Sequence, residues 1–303
     1  MSRLFGLALA LLALVTAARA ETRIGVIYPE SSPPYTRLYQ KIIDGMNGGD
    51  VRITVRVVAK TESPEDIRNW MTASQNQAAI TLGELPAQLH APLAALGPLV
   101  IGATPLPDAT ASGVSLSASP AQLFRRLRLV KPGIERIFVV YKPQASSWLV
   151  SAGRAAARDL GIDFQAIACD DIQQASAAVA RIFQDTRPGK DAIWLTLDPV
   201  LPINQILPVL LKEAWDKQVA LVSNNPLDVA RGVLFALYPD YTGMGRQLVD
   251  RTKRQLARTA PPGPEPAEYL LGAFNTRTAA HLGITLTEPQ RRSFERLFPE
   301  GQE

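Results

Sequence analysis

Short apolar runs alternate with longer amphipathic stretches along most of this chain. Residues 23–28 (RIGVIY) are largely apolar, as in a strand covered on both faces. Residues 35–46 carry Leu38, Ile42, Ile43 and Met46 at helical spacing, with Gly48-Gly49 as a stop signal. The β-branched stretch 52–59 predicts a second strand. Ser63, Pro64 and Asp66 resemble a capping box and open a helix over 64–74. Residues 78–82 and 99–102 predict two more strands, separated by a helix that follows Gly83-Glu84 and runs to Leu96. Strand and helix in alternation imply a parallel sheet with right-handed crossovers.

The pattern then starts again. Residues 104–111 are rich in Pro, Ala and Thr and have no period, which suits a loop crossing between two units. Residues 113–116 form a short extended piece, and Ser119-Pro120 is a cap-and-first-turn signal for a helix to 130. The run 136–141 (RIFVVY) closely matches RIGVIY. Helix 146–160, strand 163–168, helix 171–184, strand 191–197 and helix 203–217 follow, with Asp170-Asp171 capping the second helix. A strand at 219–222 leads through the polar turn Ser223-Asn224-Asn225-Pro226 and a helical turn ending at Gly232 to a strand at 233–237. Tyr238-Pro239-Asp240-Tyr241 turns the chain into a helix over 242–257. The segment 261–266 (PPGPEP) predicts a stiff linker, 268–275 a strand, and 276–282 a short helix. Two successive βαβα runs opened by the same kind of strand predict an α/β protein: two similar doubly wound lobes with parallel sheets, joined by a hinge.

Composition narrows the function. The 303 residues suffice for two cores, and 47% hydrophobic with 20% charged residues is globular. The net charge of +4 comes from 32 basic and 28 acidic residues spread along the chain, with no basic cluster interleaved with aromatics, so no nucleic-acid partner is expected. The single cysteine, Cys169, excludes an intrachain disulfide and a multi-cysteine metal site. His90 and His281 sit far apart in Ala/Leu-rich helical contexts, which suits structural roles. The chain has no G-x-S-x-G elbow and no Walker sequence, and Gly243-Met244-Gly245 is not a dinucleotide fingerprint. No enzyme activity, metal or cofactor is therefore expected. At the N-terminus, Arg3, the apolar run 4–17 and Ala18-Arg19-Ala20 have the form of a secretory signal peptide cleaved after Ala20.

The stretch 221–247, with its polar turn, Arg-Gly, apolar strand, Pro-Asp-Tyr and Gly-Arg-Gln, resembles the periplasmic substrate-binding proteins of ABC transporters, in the family that includes aromatic amino acid binders. Gly113-Val114-Ser115, Lys131-Pro132-Gly133 with 136–143, Thr196-Leu197-Asp198, and Asn275, Thr278 and Ala279 with Leu282-Gly283-Ile284 resemble further family segments in order. The resemblance implies a type I periplasmic binding fold: lobe 1 at 21–112 with a return segment 239–275, and lobe 2 at 113–238. For 276–303 lobe 2 is the candidate partner. It further implies a monomeric periplasmic protein that captures a small molecule between its lobes and delivers it to a membrane-bound ABC permease. An exported sensor or structural partner with the same fold stays open, as does an α/β enzyme.

Ligands of such sheets bind beyond the carboxyl ends of the strands. The candidate ligand-binding residues are therefore Tyr28, Glu30 and Ser31, then Gly83 and Glu84, then Thr104 and Ser115. In the second lobe they are Tyr141, Ser146, Ser147, Thr196, Asp198, Asn224 and Asn225, with Tyr241 near the hinge. Any of them can equally be a cap, turn or core residue. The resemblance also implies an acidic residue after the 219–222 strand in amino acid binders. This chain has Asn225 there, with Asp228, Asp198 and Glu84 as other sources of charge. A buried ammonium needs a carboxylate. The expected ligand is thus not a standard aromatic amino acid held in the usual way, and a neutral or carboxylate-bearing molecule stacked on tyrosine fits better.

Overall fold

The computed structural model describes residues 21–48, 50–107 and 112–300. The expected leader 1–20, Gly49 of the first stop signal, the end of the 104–111 loop and 301–303 lie outside the described residues. Sheet A is built from β1 (Thr22–Pro29), β2 (Val51–Val58), β3 (Ala78–Leu82), β4 (Leu99–Gly102) and β5 (Gly113–Ala118). Sheet B takes β6 (Arg136–Tyr141), β7 (Asp163–Ala168), β8 (Asp191–Leu195), β9 (Ala220–Ser223) and β10 (Phe235–Pro239). The chain returns to sheet A for β11 (Pro264–Ala267), then adds β12 (Leu270–Asn275) and β13 (Arg296–Phe298) to sheet B.

The helices are α1 (Tyr35–Met46), α2 (Pro64–Ala73), α3 (His90–Ala94), α4 (Pro120–Val130), α5 (Pro143–Asp159), α6 (Ile172–Asp185), α7 (Ile203–Asp216), α8 (Pro226–Arg231), α9 (Tyr241–Leu256), α10 (Thr276–His281) and α11 (Glu288–Arg292). Sheet A runs β11-β5-β4-β3-β1-β2 and sheet B runs β13-β12-β10-β9-β8-β6-β7. The first five strands of each sheet thus share one order, the second strand outermost, then first, third, fourth and fifth. The β10–β12 pair is antiparallel, while the core pairs of both sheets are parallel.

Local signals set several helix starts. Ser63 accepts from the Asp66 amide at 3.1 Å, and Asp171 accepts from the Gln174 amide at 2.8 Å. Ser119 differs from expectation. Its side chain makes no cap bond, and the residue sits at a crossing between the lobes, where its N–H donates to the Ala267 carbonyl at 2.9 Å. Pro208 lies inside α7 and cannot donate to the Asn204 carbonyl; Arg231 supplies a long hydrogen bond there, at 3.4 Å.

Each sheet is covered on both faces. Ile24, Val26, Ile80 and Val100 pack under α1 and α9, and Ile27, Ala79, Ile67 and Leu89 form the opposite layer. In sheet B, Trp194 anchors one layer, edge-on to Phe124 at 5.3 Å, and Phe138, Ile193 and Leu221 belong to the other.

Pairing moves the expected lobe boundaries. Gly113–Ala118, expected to open lobe 2, is a strand of sheet A, and Leu270–Asn275, expected in the return segment, belongs to sheet B. The Pro-rich 261–266 segment is not only a linker: Pro264–Ala267 pairs in parallel with β5. It can do so because β11 is the edge strand, where a missing proline N–H leaves no ladder bond unmade. α11 and β13 went unforeseen.

The chain crosses between sheets at Ser119, at Asp240 and around Tyr269, and the crossings are bonded to one another. Ser119 N–H donates to Ala267 O and Asp240 N–H to Tyr269 O, each at 2.9 Å. Gln247 of α9 donates to Pro266 O at 2.9 Å and accepts from the Glu268 amide at 3.0 Å.

α9 docks on α1 backbone to backbone. A Cβ at Gly45 would overlap the Thr242 carbonyl, and one at Gly245 would overlap the Ile42 carbonyl. The sequence has glycine at both places because no side chain fits between these helices. Gly245→Ala is expected to cost about 3 kcal/mol through overpacking, read as a lower urea midpoint at unchanged slope. Gly48→Ala, which would meet no atom within 4 Å, is the near-neutral control. Equal midpoints for the two variants would refute the close crossing.

Candidate functional site

In both sheets the strand order reverses between the first and third strands, so the loops after β1 and β3, and after β6 and β8, splay apart and leave a crevice. On sheet A this edge is organised by Tyr39, a residue of α1 that sequence reasoning missed. Its ring lies 5.2 Å from that of Tyr28. Its hydroxyl is bonded to Ser31, and a Cβ at Gly83 (φ 74°) would overlap it. Burial pushes the Tyr39 phenol up, the Ser31 bond opposes this, and the charges of Tyr35 and Glu84 add to the rise. Tyr39 shares the buried face of α1 with Ile42, Ile43 and Met46, and that helical phase was the available signal. Glu30 is exposed beside this cluster.

On sheet B several candidates turn out to be braces. Asp198, 5% exposed, accepts from the Lys142 amide at 2.9 Å and the Val200 amide at 2.8 Å, so its carboxylate ties the loop after β8 to the start of α5. Thr196 is buried next to it. Asn224 accepts from Trp194 Nε1 at 3.2 Å and donates to Leu237 O at 3.4 Å, inside the sheet's packing. Asn225 caps α8 through the Leu227 amide at 3.1 Å. Ser147 is exposed and donates back to Pro143 O at 2.7 Å. Tyr141 packs against the layer of Trp194, and Tyr241 against that of Ile24.

One cavity joins the two lobes, with a volume of about 240 Å³. Glu84, Thr104, Leu106 and Ser117 line it from the side of sheet A, and Ser146, Trp148, Leu197 and Pro199 from the side of sheet B. Glu84, Thr104 and Ser146 are therefore the expected residues brought together. Ser117 lies on the same strand face as Ser115, the period-two neighbour that would have pointed to it. Ser115 itself is fully buried and accepts from the Leu106 and Ser117 amides at 3.4 and 3.2 Å.

The segment after β4 reaches across the crevice. Ala103 takes a left-handed conformation (φ 58°), the Thr104 carbonyl accepts from the Leu116 amide at 3.2 Å, and Leu106 is buried at 3% exposure. Trp148 Nε1 of α5 donates to the Leu106 carbonyl at 2.8 Å, a direct bond between the lobes. Among the described residues no tyrosine lines the cavity, and Trp148 is its aromatic surface in place of the expected tyrosine. Among the described lining residues Glu84 is the one that ionises. Asn225 is not among them, and its amide is committed to the cap. The inference drawn from its position therefore loses its footing.

Asp228 does not supply charge to the cleft either. It is buried and accepts from Ser223 Oγ at 2.6 Å. Burial pushes its carboxyl up, against the smaller lowering by the Ser223 bond and the Arg231 charge.

No protein-family model and no curated protein matches the chain. Solved structures do. A ligand-free, open substrate-binding protein with adhesive properties from Clostridium difficile aligns over 91% of this chain and 98% of its own, with a TM-score of 0.59 at 12% identity. An ABC domain in complex with L-Trp from Streptococcus pneumoniae aligns over 92% of this chain and 100% of its own, with a TM-score of 0.52 at 17% identity. A conserved domain protein from Vibrio cholerae gives 91%, 99%, 0.51 and 16%. The chain has the type I periplasmic binding protein fold, and at these identities the likeness is one of fold. Among the described residues no helix is long and apolar enough to cross a membrane, and no cluster of potential metal ligands occurs.

Asp228 gives a pH test. Its folded pKa is raised, so the folded state holds the proton more tightly than the unfolded chain. Its contribution to stability is complete below the unfolded carboxylate range, near ~3.9, and falls as pH climbs through the folded value. Asp228→Asn is expected to raise the melting temperature at pH 7 and to lose that gain toward pH 4. A variant destabilised equally at both pH values would show that the buried carboxylate is ionised and paired.

Proposed function

We propose that this protein is an exported solute-binding protein. It captures a small molecule in the crevice between its lobes and presents it to an ABC permease. The observation that carries the reading is the cavity lined from both sheets beyond the carboxyl ends of their parallel strands. A molecule held there touches both lobes at once, so its binding energy favours their closure. The Streptococcus pneumoniae structure of the same fold holds L-Trp, and the Clostridium difficile one is a substrate-binding protein.

The lining narrows the ligand class. Leu106, Leu197 and Trp148 offer apolar and aromatic surface, Thr104, Ser117 and Ser146 offer hydroxyls, and Glu84 offers the negative charge. We therefore favour a small ligand with an apolar body and an ammonium or other strong donor aimed at Glu84. The volume of about 240 Å³ is below the roughly 300–1,000 Å³ of drug-sized sites. Leu106, buried between the lobes and bonded to Trp148, is the one observation that favours the second reading, a sensor or structural partner that does not carry solute.

Native mass spectrometry of freshly purified protein, followed by calorimetric titration of small amines and amino acids, tests the binding reading. Glu84→Gln is expected to weaken a cationic ligand by about tenfold or more, as for loss of a charge-assisted hydrogen bond of about 1.5–3 kcal/mol. Ser147→Ala, away from the cavity, is expected to leave affinity unchanged. No retained ligand and no binding across such a panel would favour the second reading. Export is tested separately: the intact mass of the periplasmic protein is expected to correspond to a chain beginning at Glu21, and a retained 1–20 segment would refute cleavage.

A further inference from the structure

A cavity in lobe 2 lies at the opposite edge of sheet B from the crevice. It has a volume of about 370 Å³ and opens beside the first residues of β9, the turn before β10 and the last residue of β12. β12 runs antiparallel to β10, so its end at Asn275 lies at the amino-terminal edge of the parallel strands. Leu211, Val219 and Leu221 contribute apolar lining. Trp215 forms an aromatic wall, held by His281 stacked on it at 3.6 Å between ring centroids and 10° between planes.

The charge of this cavity has one sign. Arg231 and Arg277 line it, and among the described residues no Asp or Glu does. Neither arginine takes part in a salt bridge among the described residues. Asp228 senses Arg231 electrostatically but is bonded to Ser223. Arg231 spends one long bond on Asn204 O, and Arg277 lies 6.0 Å from the Trp215 ring centre, so both guanidinium groups keep donors for a ligand. His281 Nε2 sits 2.9 Å from the Trp215 carbonyl, which can only accept, so this nitrogen carries the proton and fixes the ring. The neutral polar groups are already used: Asn275 donates to Val229 O and accepts from the Thr278 amide, and Thr278 donates to Gly232 O.

We propose that this cavity is a second binding site, for a small organic anion: a carboxylate held by Arg231 and Arg277, on an apolar body placed against Trp215 and Leu221. Paired guanidinium donors suit a planar carboxylate, and the apolar lining gains from covering hydrocarbon. The site is independent of the crevice reading and of whatever solute the crevice takes.

Titration of the full-length mature protein with hexanoate, followed by amide chemical shifts, tests it. Binding is expected to shift the amides of Gly232, Arg277 and His281 and to spare those of Glu84 and Ser146. The double variant R231Q/R277Q, changed at two exposed positions, is expected to bind at least tenfold more weakly, and hexan-1-ol to bind at least tenfold more weakly than hexanoate. No hexanoate binding to the wild-type protein, equal binding of acid and alcohol, equal binding by the double variant, or shifts confined to the crevice would each overturn the proposal. Far-ultraviolet circular dichroism of the double variant confirms that it is folded.

Discussion

The hydrogen bonds among the three interlobe crossings are the constraint on which the rest of the structure depends. Ser119, Asp240 and Tyr269 lie on chain segments far apart in sequence, yet Ala267 O and Tyr269 O accept from the other two crossings. Gln247 then ties the third crossing to α9, with one acceptor and one donor, so both faces of its amide are used. Backbone groups at the crossings between two sheets are thus satisfied by one another. The lobes keep a fixed edge in common while their remaining surfaces stay separate. With that shared edge in place, the segments after β3 and β4 of one sheet and after β6 and β8 of the other line one cavity.

The two edges that meet are not equivalent. On sheet A the phenol of Tyr39 gathers Tyr28, Ser31 and Gly83 into one packed group, and Glu84 follows from it into the crevice. On sheet B carboxylate and amide side chains are consumed in holding loops: Asp198 on two amides, Asn224 on Trp194, Asn225 on its own helix. One edge therefore offers ionisable chemistry, and the other offers shape, with Trp148, Leu197 and Pro199 as its surface. A rigid wall facing a charged one is how a site keeps geometry and selectivity on different residues.

How much of this was legible in the chain follows from the range of each interaction. Strands such as RIGVIY and RIFVVY, and the caps at Ser63, Asp171 and Asn225, depend on residues within one or two turns, so pattern suffices to find them. Pro264–Ala267 was misread because its strand character comes from β5, some 150 residues earlier, and from its place at the sheet edge. Gly113–Ala118 was given to the wrong lobe because period and composition do not say which sheet a strand joins. In the crevice, Glu84, Thr104 and Ser146 could be named from their positions after strands. Asp198 and Asn224 looked the same in the sequence, and only their partners show that they are spent. Leu106 and Trp148 carried no polar signal at the level of sequence, since their role is contact between segments 42 residues apart.

The glycine contact between α1 and α9 has a consequence for how the chain folds. Strands β6 to β10 occupy one uninterrupted stretch, Arg136 to Pro239, so the greater part of sheet B has what it needs from nearby sequence. Sheet A does not. Met244, Leu248 and Val249 of α9 cover Ile24, Ile80 and Val100, and β11 completes its edge, so its apolar layer stays open until residues 241–267 are available. Helix α9 in turn holds Gly243 and Gly245, each unfavourable in an isolated helix by about 1 kcal/mol relative to alanine, and gains its stability by docking on Gly45. The amino-terminal lobe, first to emerge during synthesis, is therefore the last to close. For the time it takes to make about 145 residues between β5 and β11, one apolar layer is covered by α1 alone and lacks its second helix.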